Sequence, residues 1–302
     1  MTHGYVLADV FTTHRFGGNP LAVFPEADAI PSGVMQQFAR ELNLSETVFV
    51  LAPTDRKHTY RLRILTPAIE LPFAGHPTVG TACVLAEMGR LSADSGQVSI
   101  VLEEGVGPVP VHVHRQADGW SATFAVPDVP VDGPAPPSKH DLARMLTITP
   151  DEILDGDLGP RAVSSGVPYV FIGVKDRSVL KRVRLNQSIW EQLLADFWAP
   201  HVYVITQDVE LEGSTVRARM FAPAMGIAED PATGAAAAAL PGYLRSLTGQ
   251  NGTHRWRIEQ GFDMGRPSLI EVEAEVSGGL VRGVRVGGNC VIVGRGEFDL
   301  GR

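Results

Sequence analysis

The stretch RLRILTPAIELPFAGHPTVGTA (residues 61–82) recurs in altered form as VRARMFAPAMGIAEDPATGAA (residues 216–236), and this recurrence indicates a duplicated fold. Each copy has a β-type run, then a proline, then a dipeptide ending in proline ahead of a small-residue apolar segment. Aligned on their arginines, with a two-residue difference in length, the copies superpose these positions: Arg63 with Arg219, His76-Pro77 with Asp230-Pro231, and Gly80 with Gly234. The chain is therefore predicted to contain two copies of one structural unit.

The similarity continues upstream in the same order. An apolar strand pattern follows a Gly-x-Pro turn in both halves, in GGNPLAVF (17–24) and SGVPYVFI (165–172). An amphipathic helix pattern comes next, built in the first half on Met35, Phe38, Ala39 and Leu42 and in the second on Trp190, Leu193, Leu194 and Phe197. A further strand follows each helix, TVFVLA and VYVIT. Chance similarity between two generic β-β-α segments is the alternative to duplication.

These patterns predict an α+β fold of two pseudo-symmetric lobes. Each lobe has a mainly antiparallel sheet wrapped around a central helix that begins at His-Pro or Asp-Pro. We expect an N-terminal lobe over residues 1–128 and a C-terminal lobe over 129–302, joined by the proline-rich stretch 126–139. The segment GGLVRGVRVGGNCVIVGRGEF (278–298) is predicted to form a closing hairpin, with the last strands packing back on the first lobe.

Composition limits the classes of function. The chain has 302 residues, of which 44% are hydrophobic and 20% charged, and its net charge of −8 comes with no basic cluster. This argues against nucleic-acid and membrane partners. With no apolar run near bilayer length and no leader pattern, we expect a cytoplasmic protein. Cys83 and Cys290 form no CxxC motif, and both are expected to be reduced and buried.

The starts of the two central helices differ in a way that points to function. Asp230 is predicted to be a strong N-cap with Pro231 as the first helical residue, whereas histidine is a poor capping residue. Helix formation therefore does not explain His76. If both helices point their N-termini at one cleft, their free N–H groups favour an anion, and a small carboxylic acid is the natural ligand. The small residues Gly75, Gly80, Gly234 and Ala235 are expected to let that ligand approach the backbone.

One carboxylate breaks the repeat. The first half reads Asn43-Leu44-Ser45-Glu46-Thr47 before its strand, where the second half reads Phe197-Trp198-Ala199-Pro200-His201. Glu46 therefore has no carboxylate counterpart. A solvated residue at the start of a strand is the ordinary interpretation of such a glutamate. Beside an anion-binding cleft, however, it becomes a candidate proton carrier.

Four motifs together resemble one known family. They are, in chain order, DVFTTHRFGGNPLAVF, ELNLSETVFV, RILTPAIELPFAGHPTVGTA and EDPATGAAAAALPGYL. The chain closely resembles the PhzF-like phenazine-biosynthesis family from near residue 5 to its C-terminal strands. The resemblance implies the diaminopimelate epimerase fold, with a cleft between two lobes. It also implies isomerisation of a dihydro-hydroxyanthranilic acid without cofactor or metal.

The resemblance also implies roles for particular residues. The family's acid/base glutamate matches Glu46, and its site histidine and aspartate match His76 and Asp230, so these three are the predicted catalytic residues. The predicted substrate-binding residues are Gly75, Pro77, Thr78, Gly234, Ala235 and Asn19, of which Asn19 belongs to the GGNP turn that the family places near the cleft. Ala235 stands where the phenazine enzyme has a serine, which allows a different substrate. A homodimer is plausible for the family.

Other hypotheses stay open beside isomerisation. A non-catalytic homologue that binds a small molecule or a protein would keep the same fold. Epimerisation ranks lower, because epimerases of this fold use two cysteines, one from each half, and the matching positions here are not cysteine. We expect no metal at His112 and His114, which lack a third ligand, and no nucleotide site. Arg63, Glu70 and Arg219 could form salt bridges between the lobes, and Trp190 and Trp198 are expected in the core.

Overall fold

The structure, a computed structural model, describes residues 2–93, 95–245 and 251–300. The contacts between α-carbons divide the chain into two compact units. The first unit comprises the chain up to Ala125 together with the segment from Gly287 onward, and the second unit runs from Val126 to Val286.

The first unit begins with two strands that flank the GGNP turn. Its elements up to Ala125 are, in chain order, β1 (Thr2–Val10), β2 (Asn19–Phe24), α1 (Ser32–Leu42), β3 (Glu46–Leu51), β4 (Tyr60–Leu65), β5 (Glu70–Leu71), α2 (Gly75–Glu87), β6 (Gln97–Glu104), β7 (Gly107–Gln116) and β8 (Gly119–Ala125). Strand β2 pairs antiparallel with β1 and parallel with β3, so α1 forms the crossover that a parallel pair requires. Strand β4 pairs antiparallel with β3 and parallel with β6.

Helix α2 is the central helix of the first unit. It is apolar on every side, and its residues from Gly75 to Ala86 are buried, which is typical of a helix enclosed by other elements. It contacts β1, β2, β3, β7 and β8. Helix α1 instead places one apolar face on the sheet, where Phe38 stacks with Phe24.

The second unit repeats this plan. Its elements are β9 (Val131–Asp132), α3 (Lys139–Leu146), β10 (Arg161–Ser164), β11 (Pro168–Gly173), α4 (Arg177–Arg182), α5 (Gln187–Leu193), β12 (His201–Thr206), β13 (Val216–Ala222), β14 (Ile227–Asp230), α6 (Gly234–Tyr243), β15 (Gly252–Gln260) and β16 (Ser268–Ser277). A last strand, β17 (Leu280–Asp299), follows, and in the first unit it pairs antiparallel with β1. Helix α6 is buried like α2 and contacts β9, β10, β11 and β16.

The strand pairings confirm the duplicated α+β fold. In the first unit β2 and β3 are parallel, β3 and β4 antiparallel, and β4 and β6 parallel. In the second unit β11 and β12, β12 and β13, and β13 and β15 show the same series of directions. Even the side chains that hold the loops recur. Glu103 on β6 accepts the backbone N–H groups of Thr54 and Asp55, and Glu259 on β15 accepts those of Glu210 and Leu211.

Several local predictions were wrong. Helix α6 begins at Gly234 with Thr233 as its N-cap, so Asp230 ends a strand instead of capping a helix. The predicted C-terminal hairpin is one long strand, β17. Helix α5 ends at Leu193, before Phe197. Trp190 is in the core as predicted, but the Trp198 side chain is 42% exposed.

The three residues for which salt bridges between the lobes were one possibility form ion pairs within a single unit instead. Arg63 binds Glu70 within the first unit, and Arg219 binds Glu229 within the second. The two pairs occupy equivalent places, because each joins β4 or β13 to the short strand that follows it. They therefore stabilise the two copies of the fold separately.

No helix in the described ranges is long and apolar enough to cross a membrane. Cys83 and Cys290 are both buried and free of disulfides, and both belong to the first unit.

Candidate functional site

Glu46 is the first residue of β3, and strand pairing determines its neighbours. The parallel register places Glu46 beside Leu21 of β2, one residue beyond Pro20 of the GGNP turn. Its side chain is 13% exposed, so the solvated interpretation of this glutamate was wrong. A carboxylate at the end of a rigid strand, largely shielded from water, is held in a defined position.

His76 lies in the first turn of α2 and faces this carboxyl group. Its Nε2 is 3.4 Å from Oε2 of Glu46, and the imidazole is 6% exposed. The structure therefore brings together two of the three predicted catalytic residues, which are 30 positions apart in the chain.

The proton of His76 can be assigned from its partners. Proline has no N–H, so the backbone hydrogen bond between His76 and Pro20 runs from a ring nitrogen to the Pro20 carbonyl oxygen. In the part of the chain that the structure describes, Nε2 has no hydrogen-bond partner, which leaves Nδ1 as the donor. Burial lowers the pKa of His76 to about 3, because an imidazolium would be poorly solvated there. The ring is therefore neutral and presents the Nε2 lone pair to Glu46.

Two glycines allow this arrangement. Gly18 has a φ of +61°, and a Cβ there would lie 2.3 Å from the Val10 carbonyl oxygen. A Cβ on Gly80 would lie 2.6 Å from the side chains of both Leu21 and Val10. The GGNP segment is thus a tight turn, and Gly80 lets α2 pack closely on β1 and β2. For Gly80 this packing replaces the predicted role of admitting a ligand to the backbone.

The remaining predicted residues of the first unit surround His76. Gly75, Pro77 and Thr78 share its helical turn, and the N-cap position, Ala74, offers no side-chain cap. The Thr78 hydroxyl lies 2.8 Å from the Ala74 carbonyl oxygen and 2.7 Å from Oε1 of Glu104, so it is engaged within the protein. Asn19 is buried as the first residue of β2, opposite Val10 of β1.

In the second unit, Asp230, Gly234 and Ala235 lie at the start of the other central helix. Asp230 is buried and accepts a hydrogen bond from the Thr233 hydroxyl. Gly234 and Ala235 are the first two residues of α6, and Ala235 is partly exposed. The N-cap of α6 also lacks a side-chain hydrogen bond to the first turn. A helix start of this kind is suited to binding an anion.

His201 is a candidate functional residue that was not predicted from the sequence. It pairs with Tyr169 in the parallel register of β11 and β12, as Glu46 pairs with Leu21 in β2 and β3. The position equivalent to Glu46 in the second copy is therefore a histidine. It is 5% exposed, and burial lowers its pKa to about 4. The signal is present in the sequence, since His201 directly precedes the strand VYVIT as Glu46 directly precedes TVFVLA.

Other clusters lack the features of this site. A cavity of about 850 Å³ in the first unit contains neither Glu46 nor His76 in its lining. His112 and His114 each contact a serine, and within residues 2–93, 95–245 and 251–300 no group of three or more potential ligands could hold a metal ion.

Comparison with known proteins identifies the family. The sequence model for the phenazine biosynthesis-like proteins matches residues 8–296. The chain belongs to this family. An uncharacterized isomerase of Mesorhizobium japonicum is 41% identical over 98% of this chain and 99% of its own length. The trans-2,3-dihydro-3-hydroxyanthranilate isomerase of Pseudomonas aeruginosa is 35% identical over 99% of this chain and all of its own.

A solved structure supports the same assignment of fold. The PhzF-family protein of Bacillus anthracis superposes with a TM-score of 0.90 at 24% identity, covering 99% of this chain and all of that protein. The predicted fold class is thereby confirmed. The sequence relatives support isomerase activity and a small-molecule substrate.

Proposed function

We propose that this PhzF-family protein is a cofactor-independent isomerase of a small cyclic or unsaturated carboxylic acid, with Glu46 as its proton carrier. The observation that carries the proposal is the 3.4 Å approach of the Glu46 carboxyl to the unprotonated Nε2 of a neutral, buried His76. The family relationship supports the class of reaction.

Glu46 would act first as a base. As a carboxylate it removes a proton from a carbon of the substrate, and as a carboxylic acid it returns the proton to a second carbon on the same face. One carrier is enough for such a shift, whereas epimerisation needs a carrier on each face. Cys83 and Cys290 do not meet that need, because both belong to the first unit and burial raises the pKa of the Cys83 thiol.

His76 would stabilise the protonated form of Glu46. Its Nδ1 proton is committed to Pro20, so Nε2 can only accept a hydrogen bond. Once Glu46 has taken a proton from the substrate, its carboxylic acid group can therefore donate a hydrogen bond to Nε2 of His76. The fixed tautomer also keeps the imidazole in one orientation through both proton transfers.

The helix start would hold the substrate's carboxylate. The first turn of α2 has backbone N–H groups without a side-chain cap, in a helix long enough to favour an anion at its N-terminus. Because the Thr78 hydroxyl is engaged, its proposed contribution is to fix this turn. Asp230, Gly234, Ala235 and Asn19 are proposed to bind the substrate's other polar groups, on the strength of the repeat and of the motif match.

Solvent exchange tests the proposal against simple binding. The protein is incubated in deuterated buffer with trans-2,3-dihydro-3-hydroxyanthranilate and then with a panel of unsaturated carboxylic acids, followed by NMR. We expect conversion of one of them with deuterium on a carbon atom. Thermal stabilisation by a ligand that never exchanges a carbon-bound proton would instead assign the chain to the non-catalytic binding homologues.

The cytoplasmic location and the homodimer stay predictions.

A further inference from the structure

Glu104 is a buried carboxyl group that the proposed chemistry does not use. It is the last residue of β6 in the first unit, and it is 7% exposed. Its Oε1 lies 2.7 Å from the Thr78 hydroxyl, and its Oε2 is buried with no hydrogen-bond partner among the described residues. An ionised carboxylate with one orphaned oxygen would be costly in such a place.

The contacts of Thr78 assign the proton between these groups. The hydroxyl lies close to both the Ala74 carbonyl oxygen, at 2.8 Å, and Glu104. A hydroxyl has one proton to donate, and a carbonyl oxygen can only accept. Both contacts of the hydroxyl are satisfied when Thr78 donates to Ala74 and a protonated Oε1 of Glu104 donates to Thr78. Burial raises the pKa of Glu104 to about 8, in agreement with this arrangement.

The internal repeat provides an independent argument. In the parallel pairs, Arg61 lies opposite Glu103 in the first unit and Arg217 opposite Glu259 in the second. The next residue along each strand is Glu104 in the first copy and Gln260 in the second. Gln260 is a neutral amide, and its Nε2 donates to the Thr233 hydroxyl at 2.9 Å.

In both copies the last residue of this strand lies beside a threonine hydroxyl at the start of the central helix. Glu104 contacts Thr78 in the first turn of α2, and Gln260 is the donor to Thr233 at the N-cap of α6, one position away from the residue that aligns with Thr78. In the second copy the donor also reaches the Asp230 carbonyl oxygen, at 2.8 Å. A protonated Glu104 has nearly the shape of a glutamine and the same ability to donate.

We propose that Glu104 works as a neutral carboxylic acid that positions the first turn of α2, through Thr78, and so sets the orientation of His76 toward Glu46. This role as a positioning residue rests on the proposed function for its catalytic consequence. The protonation state of Glu104 and its effect on His76 can be tested separately, in the protein without substrate.

The test compares Glu104→Gln with Glu104→Leu. Glutamine keeps a neutral donor, as in the second copy, whereas leucine removes it at similar volume. Infrared spectra of the ligand-free protein at pH 7 should show a protonated carboxyl C=O band that disappears in Glu104→Gln. The ¹⁵N NMR signals of the His76 ring should stay in place in Glu104→Gln and shift in Glu104→Leu.

Turnover should likewise be kept in Glu104→Gln and reduced in Glu104→Leu. We expect kcat of Glu104→Gln to stay within about twofold of the wild type, and kcat of Glu104→Leu to fall about tenfold or more with little change in KM. If Glu104→Leu does not fold, Thr78→Val removes the same hydrogen bond from the other side and should produce the same shift of the His76 signals.

Three results would overturn the inference. They are an infrared band unchanged in Glu104→Gln, His76 signals displaced equally by glutamine and leucine, and His76 signals unmoved by both Glu104→Leu and Thr78→Val. Should the wild type convert no substrate, the proposed function fails, while the infrared and NMR results still decide the state and role of Glu104.

Discussion

At the scale of single residues, the state of His76 follows from its surroundings. Burial disfavours the imidazolium, and the Pro20 carbonyl oxygen fixes which nitrogen carries the proton. A cationic His76 would neutralise Glu46 as a base, whereas a neutral ring leaves Glu46 free to take a proton. The chemistry that we propose therefore depends on the imidazole remaining neutral at working pH.

NMR titration of the His76 ring tests this state. Because the pKa of His76 is lowered to about 3 by burial, the ring should keep its Nδ1-protonated, neutral signals from about pH 8 down to about pH 5. Protonation of His76 within that range would contradict the assignment and remove the acceptor from the proposed mechanism.

Substitution of Ala235 tests the origin of specificity. If the substrate differs from the family's because a hydroxyl is absent, Ala235→Ser should raise kcat/KM for trans-2,3-dihydro-3-hydroxyanthranilate. One added hydrogen bond contributes about 1 kcal/mol, or roughly fivefold in rate. Steady-state kinetics measure this effect, and Ala239→Ser in the buried part of α6 serves as the comparison. A decrease or no change in kcat/KM would show that Ala235 does not determine which substrate is used.

At the scale of elements, the site depends on the close packing of α2 against β1 and β2. Gly80→Ala places a methyl group 2.6 Å from Leu21 and Val10, so the helix must shift. We expect the free energy of unfolding to fall by about 1–3 kcal/mol and turnover to fall with it. The matched control is Gly33→Ala in α1, where a Cβ meets nothing within 4 Å. It should stabilise the protein by about 0.5–1 kcal/mol. Equal behaviour of the two variants in urea unfolding would contradict the packing argument.

The elements also show how far the sequence could predict the structure. The repeat of 61–82 in 216–236 was enough to predict two α+β copies with a central helix each, because apolar periodicity and turn residues are local signals. The start of α6 could not be placed in this way. Asp230 and Pro231 have ideal helix-start chemistry, but Asp230 pairs with Met220 in the sheet instead, so tertiary contacts overrode local preference.

Some features of the site could likewise be predicted from the sequence, and others could not. The break in the repeat at Glu46 and the unexpected histidine at 76 were visible in the sequence. The approach of these two side chains, the role of Pro20 and the tautomer of His76 depend on the β2–β3 register and on the packing of Gly80. The equivalence of Glu104 and Gln260 also emerged only from the register of the parallel strands.

At the scale of the whole molecule, buried neutral histidines make stability depend on pH. The pKa of His201 is lowered by burial to about 4 from its ordinary 6.5, so below pH 6.5 the unfolded chain binds a proton that the folded protein does not. The contribution of His201 to stability is therefore complete above about pH 6.5 and is lost as the pH decreases toward 4, whereas Glu104, with its pKa raised to about 8, contributes a change of the opposite sign. The expected loss from His201 at pH 5 is about 2 kcal/mol, and His76 adds a loss of the same sign.

Urea unfolding at pH 7 and pH 5 measures this dependence. His201→Gln should lose about 2 kcal/mol less than the wild type between the two pH values, whereas His140→Gln at the surface should follow the wild type. An unchanged pH dependence in His201→Gln would show that His201 is protonated equally in the folded and unfolded states.

Turnover of Glu46→Gln measures whether Glu46 carries the proton. Its amide keeps the shape of the side chain but cannot act as a base. With a substrate that the wild type isomerises, we predict a loss of roughly a thousandfold or more in both kcat and deuterium incorporation, with the fold retained. Glu41→Gln, an exposed substitution in α1, should leave turnover unchanged. Turnover by Glu46→Gln at the wild-type rate would show that Glu46 is not the proton carrier.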